Sequence, residues 1–378
     1  MRRILALTFV LLAPGACSLF TSLDGLSGGG GSSDAGPNDG SLGSDVAAKE
    51  AGVTCDGGLT ACGNACVDTT GDALNCGSCN HDCLGGACTG GTCQAVVIAT
   101  GEYGAYDIAV GGGEAYWVDE YSGKVVKCST SNCTATLTVL ASDRPSPQDI
   151  VIDDTNVYWS EQTGAASCAR AGCGGNPNVL VSGLTTADGG PVDYDGIAVG
   201  PALVYFPSGG SLLACAKTGC SNSPSTLSGY ADDLTTDSNN LYGTDGDDVF
   251  ACPLGNCTDM TSVHLVSGLG DSDSIAVDKV NVYFTYAAAV GSCPLSGCAA
   301  PTVLADNQLG PDDIATDGVN VYWTDGTAGT VLRCAVGGCD DTPTTLAQNQ
   351  DTPKGIAVDD TAVYWTTVDG DTIVRIAK

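Results

Sequence analysis

The chain is poor in basic residues, in histidine and in long apolar segments. Its 378 residues include 13 Lys and Arg against 44 Asp and Glu, and only two histidines. Because so few cations cannot form a broad electropositive surface, the composition argues against nucleic-acid binding. No stretch reaches the 18 or so apolar residues of a transmembrane helix, so the sequence predicts none. Nucleophile-elbow, P-loop and zinc-protease motifs are also missing.

Glycine and cysteine, by contrast, are abundant. The sequence holds 53 Gly and 21 Cys, with only 6% aromatic residues. This composition favours turn-rich β structure over a helical bundle. An odd number of cysteines in an exported protein calls for a separate role for one of them.

Residues 1–16 are typical of a secretion signal, with two early arginines and an apolar run from Ile4 to Leu12. The small residues before Cys17 resemble the lipobox of bacterial lipoproteins, although Pro14 stands where that family usually has leucine. The resemblance implies cleavage before Cys17, lipid attachment at Cys17 and anchoring in the cell envelope, at the outer membrane of a Gram-negative bacterium. The alternative is an ordinary secretion signal with an unrelated cysteine nearby.

The segment 17–54 is rich in Gly, Ser and Asp and has few large apolar residues after Phe20. Such a composition cannot bury a core, so we expect a flexible tether.

A cysteine-rich module follows over residues 55–93. It contains eight cysteines: Cys55, Cys62, Cys66, Cys76, Cys79, Cys83, Cys88 and Cys93. With so few apolar residues the module needs cross-links, and outside the cytosol we expect up to four disulfides whose pairing the sequence leaves open. Zinc is the alternative, since Cys76 and Cys79 have C-x2-C spacing and His81 and Cys83 lie close by. The cysteine spacing loosely resembles short modules of the EGF or stigma-specific type.

From residue 94 the sequence repeats itself seven times. In each repeat an apolar residue is followed eight positions later by a tyrosine that usually precedes a second aromatic residue, as in Ile314 and Tyr322-Trp323. The steps between successive tyrosines are 42, 47, 37, 41, 39 and 42 residues. A period near 42 residues predicts one four-stranded propeller blade per repeat.

The strands of the sixth repeat are predicted over Asp313–Thr316, Val319–Thr324, Thr330–Cys334 and Pro343–Leu346. The seventh repeat ends before its fourth strand, and a spare strand, Ala95–Ala99, precedes the first repeat. We therefore predict an all-β, seven-bladed propeller over 94–378 in which the N-terminal strand completes the last blade.

Six of the repeats carry a C-x4-C pair between the third and fourth strands. The pairs are Cys128/Cys133, Cys168/Cys173, Cys215/Cys220, Cys252/Cys257, Cys293/Cys298 and Cys334/Cys339. Each pair is expected to form a disulfide across a hairpin turn. The 21 cysteines thus divide into one anchor, eight in the module and twelve in the blades.

Tyr322-Trp323-Thr324-Asp325 resembles the motif of YWTD propellers, the class found in low-density lipoprotein receptors. That family has six blades rather than seven, and seven-bladed propellers of the YVTN and streptogramin-lyase type are equally similar. The resemblance implies the fold. Streptogramin-lyase catalysis would imply a histidine near the propeller centre, and no repeat offers one there.

An acidic residue precedes the innermost strand in six repeats: Asp107, Asp149, Asp195, Asp233, Asp273 and Asp313. Six carboxylates around one mouth of the channel predict either a hard-cation site, such as Ca²⁺, or a negative funnel for a cationic ligand. The alternative is structural, with each side chain capping nearby backbone amides. A second set is expected in turns: Asp153, Asp237, Asp278, Asp317 and Asp359.

These features predict a lipid-anchored envelope protein that binds a protein or glycan through one propeller face, with no catalytic residues and no cofactor. The alternative function is a Ca²⁺-dependent propeller hydrolase or lyase in which the aspartates hold the metal. The only expected contact with a membrane is the lipid on Cys17.

Overall fold

The computed structural model describes residues 53–185, 196–208, 210–227, 229–258 and 262–378. Within these ranges the chain forms antiparallel strands and one short helix, α1 (Cys133–Thr136). No helix in the described part is long and apolar enough to cross a membrane. The predicted signal and Cys17 lie outside the described residues, as does most of the tether.

The cysteine-rich module consists of two small hairpins. Their strands are β1 (Thr60–Cys62), β2 (Ala65–Val67), β3 (Cys88–Thr89) and β4 (Thr92–Cys93). Four disulfides join Cys55 to Cys66, Cys62 to Cys79, Cys76 to Cys88 and Cys83 to Cys93. All eight sulfurs are therefore paired, and none is left as a thiolate for the zinc alternative. The ring nitrogens of His81 instead contact the carbonyl oxygens of Cys76 and Lys378, at 2.5 and 2.6 Å.

Strand β5 (Val96–Thr100) leads from the module into a series of sheets. The first three sheets each consist of four strands that follow one another in the chain, and a longer sheet comes after them. The first sheet contains β6 (Ala105–Gly111), β7 (Glu114–Asp119), β8 (Lys124–Ser129) and β9 (Thr138–Ala141), and the second contains β10 (Pro147–Ile152), β11 (Asn156–Glu161), β12 (Gly164–Ala169) and β13 (Asn178–Val181). The third contains β14 (Ala198–Val199), β15 (Leu203–Ser208), β16 (Ser211–Ala216) and β17 (Ser225–Leu227).

The longer sheet has seven strands: β18 (Leu234–Thr236), β19 (Asn240–Thr244), β20 (Gly246–Pro253), β21 (Val263–Val277), β22 (Asn281–Tyr286), β23 (Ala289–Pro294) and β24 (Thr302–Ala305). It is followed by the sheet of β25 (Pro311–Thr316), β26 (Asn320–Asp325), β27 (Thr330–Ala335) and β28 (Thr344–Ala347). Strand β21 is 15 residues long and pairs with β20 near its start and with β22 near its end. It therefore serves both as a last and as a first strand. We call each four-stranded repeat unit a blade.

The last sheet joins the two ends of the repeat region. Its strands are β29 (Pro353–Val358), β30 (Ala362–Thr367), β31 (Thr372–Ala377) and the early strand β5. Val97 of β5 pairs with Val374 of β31, and β29 packs against β6. The N-terminal strand thus completes the last blade, as the sequence predicted, and covers an edge that would otherwise be exposed.

The apolar core lies between neighbouring sheets. All four tryptophans, which belong to the aromatic pairs of the repeats, are 0% exposed. Trp323 of β26, for example, packs with Ile314 of β25 and with Tyr283 of the preceding blade. In this sixth repeat the observed strand ends differ from the predicted ones by no more than two residues.

The second set of aspartates stabilises turns, as predicted. Asp317 Oδ1 accepts hydrogen bonds from the backbone amides of Val319 and Asn320, while Oδ2 accepts one from the Tyr322 hydroxyl at 2.9 Å. The same bond to a tyrosine hydroxyl is made by Asp153, Asp237, Asp278 and Asp359. These bonds tie the polar end of each buried tyrosine to a turn of its own blade.

The six blade cysteine pairs form disulfides in the structure. They join Cys128 to Cys133, Cys168 to Cys173, Cys215 to Cys220, Cys252 to Cys257, Cys293 to Cys298 and Cys334 to Cys339. The first cysteine of each pair lies in the third strand of its blade and the second follows five residues later, so each disulfide is a local cross-link within one blade.

Candidate functional site

A bulge in the first strand of the blades places polar residues at the centre of the propeller. In β25, Asp312 and Asp313 stand opposite the single residue Thr324 of β26. The same two-against-one register occurs at Tyr106 and Asp107, Gln148 and Asp149, Asp273 and Ser274, and Lys354 and Gly355. Since a bulge takes both residues out of the ladder, their amides and side chains are available for other bonds.

The second bulge position forms an inner tier that links neighbouring blades. Asp313 Oδ1 accepts a hydrogen bond from the amide of Ile314, and Oδ2 accepts one from the amide of Ile356 in the next blade, both at 2.7 Å. The equivalent bonds to the next blade run from Ile150 to Asp107, from Ile197 to Asp149 and from Ile275 to Asp233. These carboxylates therefore stabilise the contact between first strands, as the structural alternative predicted.

Buried hydroxyl groups opposite the bulges continue this network. Thr324 Oγ1 accepts a hydrogen bond from the amide of Asp313 at 3.1 Å and donates one to the carbonyl oxygen of Lys354 at 2.5 Å. Fully buried hydroxyls occupy the same place at Ser160, Thr244, Thr285 and Thr366. Thr366 donates to the carbonyl oxygen of Tyr106, so the network also crosses the junction between the last and first blades.

In the last blade a glycine, Gly355, takes the inner position beside the first blade. A Cβ atom on Gly355 would lie 2.5 Å from Asp107 Oδ1 and 2.6 Å from Asp107 Cα. A larger residue at this position would push the last blade away from the first.

The inner tier and the first bulge position together line a central cavity of about 290 Å³. The first position forms an outer tier that includes Tyr106, Gln148, Asp273, Asp312 and Lys354. Lys354 Nζ lies 3.0 Å from Asp312 Oδ1 and 5.2 Å from the centre of the Tyr106 ring. The outer tier thus presents acidic, basic, amide and phenol groups around one cavity.

Burial raises the pKa values of the inner carboxyls. Desolvation, followed by the charge of Asp107, raises the pKa of Asp313 to about 7. The pKa values of Asp149 and Asp233 are raised well above the usual range, first by burial and then by the neighbouring aspartates Asp107 and Asp313, respectively. Ser274 Oγ lies 3.0 Å from Asp233 and 2.8 Å from Asp313, and its single proton satisfies both best when one carboxyl is itself protonated.

The sign of the resulting pH dependence follows from linkage. A carboxyl whose pKa is higher in the folded state binds more protons there than in the unfolded chain. Its contribution to the stability of the folded state is therefore greatest at acidic pH. That contribution is lost as pH rises from about 4 towards the pKa in the folded state, which is about 7 for Asp313. The inner tier consequently favours the folded state at acidic pH.

Lys354 behaves in the opposite way to an isolated buried amine. Burial lowers its pKa, but Tyr106 and the carboxylates of Asp312 and Asp273 outweigh that effect, so the pKa is raised. The ammonium group accordingly stays charged beside Asp312.

The structure separates the six aspartates that were predicted as one ring. Asp107, Asp149, Asp233 and Asp313 occupy the inner tier, but Asp273 is at the outer position, and Asp195 lies outside the described residues. Ser274, which follows Asp273, is the inner residue of that blade. The expectation that the aspartates precede the strands was also wrong for Asp107, Asp149 and Asp273, which lie inside β6, β10 and β21. Asp313 lies inside β25, in agreement with the predicted strand that begins at this residue.

Sequence reasoning missed the buried hydroxyls and the outer tier. A hydroxyl residue two positions after the repeat tyrosine, as in Tyr322-Trp323-Thr324, was the available signal. The two histidines are elsewhere. His81 belongs to the module, and the half-exposed His264 on β21 lies with Nδ1 2.6 Å from Asp248 Oδ2.

No protein-family model matches the sequence, and no curated protein matches it. Solved structures match the fold. Virginiamycin B lyase from Staphylococcus aureus aligns with a TM-score of 0.61 and 15% identity, over 75% of this chain and 98% of that one. A streptogramin B lyase structure aligns with a TM-score of 0.59 and 15% identity, over 75% and 96% of the two chains. At such low identity the likeness concerns architecture alone, and it identifies the described all-β chain as a β-propeller.

Proposed function

We propose that this chain is an exported, lipid-anchored binding protein of the cell envelope, built on a seven-bladed propeller. The ligand, a protein or a glycan, is bound at the mouth of the central cavity. Support for seven blades comes from the seven sequence repeats and from β21, which serves two neighbouring blades. Support for export comes from the signal-like residues 1–16 and from ten disulfides.

The outer tier carries the proposal for binding. Its members come from several blades and place unlike polar groups around one cavity, with the Lys354 ammonium beside the Asp312 carboxylate. Convergent polar groups in a concave site are typical of ligand recognition. The tier below is already occupied in linking blades, so it forms a rigid base for the site.

Binding is favoured over catalysis by what the cavity contains. A solved lyase with the same fold is described as catalytically inactive after one histidine was replaced by alanine. Among the described residues that line the cavity here there is no histidine and no cysteine. The inner carboxylates, which the Ca²⁺-dependent alternative would use as ligands, accept hydrogen bonds from backbone amides.

The first test combines Asp312→Asn with Lys354→Gln, so that neither charge is left without its partner. In pull-down of envelope components with the mature protein, we expect the double variant to retain less than about a tenth of the wild-type signal, since a charged contact contributes about 1.5–3 kcal/mol. Asp340→Asn is the matched control, because Asp340 is exposed and has a φ of 51°, which asparagine also adopts.

Equal capture by the double variant and the wild type would contradict binding at this cavity. Metal analysis of the same protein tests the alternative. Bound Ca²⁺ that disappears in the Asp233→Asn, Asp313→Asn variant would instead favour the hydrolase or lyase.

The anchor is tested separately with Cys17→Ser. Because serine cannot carry the thioether-linked lipid, we expect this variant to move from the membrane fraction to the soluble fraction of fractionated cells. The unchanged distribution of the Cys334→Ser, Cys339→Ser variant serves as the control. Continued membrane attachment of Cys17→Ser would refute the anchor.

A further inference from the structure

The first blade contains two buried carboxyl groups in contact with each other, away from the central cavity. Asp119, at the end of β7, is 0% exposed, and Glu102, in the loop between β5 and β6, is 5% exposed. Asp119 stands two residues after Trp117 on β7, so its side chain lies on the same face of the strand as the indole that contacts Glu102. Glu102 Oε2 also accepts the indole hydrogen bond of Trp117 at 3.1 Å, whereas Asp119 Oδ1 has no partner.

Other blades do not place two acids here. Fifteen residues before the tryptophan, where the first blade has Glu102, Gln308 and Gln350 accept the indole hydrogen bonds of Trp323 and Trp365, both at 3.0 Å. In the second blade the corresponding residues are Arg144 and Glu161, which form an ion pair at 2.6 Å. Of these four blades, only the first has a carboxyl group fifteen residues before its tryptophan; the other three have glutamine or arginine there.

The pair lies at the point where the ring closes. The backbone amides of Gly101 and Glu102 donate hydrogen bonds to the carbonyl oxygen of Asp371, in the turn between β30 and β31, at 3.0 and 3.1 Å. The side chain of Glu102 reaches the opposite way, to Trp117 and Asp119 of the first blade. Glu102 therefore connects the last blade to the first.

No positively charged side chain in the described part of the chain forms an ion pair with Glu102 or Asp119. Lys124 on β8 contributes a favourable charge at a distance and makes no ion pair with either acid. Ser122 Oγ donates to Asp119 Oδ2 at 3.3 Å. Asp371 uses Oδ1 to accept the amide hydrogen bond of Gly104, and Arg144 is paired with Glu161. Glu120, beside Asp119, adds a further negative charge.

We propose that Glu102 and Asp119 share one proton and act as a pH-sensitive latch that holds the first and last blades together. With the proton present, one carboxyl donates to the other across the junction. When the proton leaves, two adjacent buried carboxylates repel each other, and the loop 101–104 separates from the first blade.

The direction of the effect follows from the environment. Burial, followed by the charge of Glu102, raises the pKa of Asp119 to about 8, and burial raises the pKa of Glu102. Because the folded state holds the extra proton, the latch is fully closed at acidic pH and opens as pH rises through about 8.

Glu102→Gln is the decisive variant, since the chain itself uses glutamine at this place in two other blades. Its carbonyl oxygen can accept from Trp117, and its amide can donate to Asp119 at any pH. We expect the melting temperature of the full mature protein to match the wild type at pH 5 and to exceed it by roughly 2–4 °C at pH 9, for about 1 kcal/mol restored. The pH dependence that comes from the inner tier is the same in both proteins, so it cancels in the difference between their melting temperatures.

Asp119→Asn should give the same pH-dependent difference in melting temperature. This second variant shows whether the effect comes from the carboxyl pair or only from the new side chain at residue 102. Hydrogen exchange then locates the effect. We expect protection of residues 96–105, corrected for intrinsic exchange, to fall between pH 6 and 9 in the wild type and to stay constant in Glu102→Gln. A difference in melting temperature that does not change with pH, or equal loss of protection in both proteins, would overturn the latch.

Discussion

Replacing Ile98 by aspartate is expected to lower the free energy of unfolding by about 3–5 kcal/mol, because it places an unpaired charge in the core. Ile98 lies on the closing strand β5 and is 8% exposed. It packs in a cluster with Trp117 of the first blade and with Tyr364 and Ile373 of the last. A charge here would separate β5 from this cluster, and the last blade would be left with three strands and an open edge.

The neighbouring Val97 provides the matched control. It belongs to the same strand but is 50% exposed, so Val97→Asp puts the same charge into solvent. Its expected effect is within about 0.5 kcal/mol of zero. Urea denaturation followed by circular dichroism, with disulfides intact, measures both variants. Equal loss of stability in the two would show that β5 does not close the ring.

Trp323→Ala is expected to cost about 3–5 kcal/mol, through lost apolar burial and the cavity left behind. Trp323 is 0% exposed and packs with Tyr283, Leu304 and Ile314, so the loss would affect two blades at once. The substitution also leaves Gln308 Oε1 without the indole hydrogen bond that it accepts at 3.0 Å. Denaturant unfolding is again the measurement.

Two further variants separate packing from the hydrogen bond. Trp323→Phe keeps most of the ring volume and removes the indole N–H, so it should cost clearly less than Trp323→Ala. Val319→Ala, in the same blade at 66% exposure, should be nearly neutral. If all three changes cost the same, the core between these blades does not depend on the aromatic residue.

Much of the fold could be predicted because the blade repeats. The eight-residue offset between Ile314 and Tyr322 fixes two strands and the turn between them, so strand ends in that repeat were predicted to within two residues. The spare strand before the first repeat likewise predicted the pairing of β5 with β31. These features depend on local periodicity, which a single sequence contains.

Other features depend on where the chain runs in space. The module's pairing, such as Cys62 with Cys79 across two other cysteines, depends on the path of two hairpins, which the cysteine spacing does not reveal. The aspartate ring was misplaced at Asp273 because a bulge has two adjacent polar positions, and only the structure shows which one faces inward. The contact between Glu102 and Asp119 is likewise set by the tertiary fold.

The pairing of β5 with β31 has a consequence for the order of folding. Thr100 is made early in synthesis and its partner Thr372 close to the end of the repeats, so this pairing closes the longest loop of any strand pair in the described sheets. Each interior blade can assemble, and oxidise its own cysteine pair, as soon as its strands emerge. Strand β5 stays without its partner until β31 has been made, so we expect ring closure to be a late and slow step of assembly.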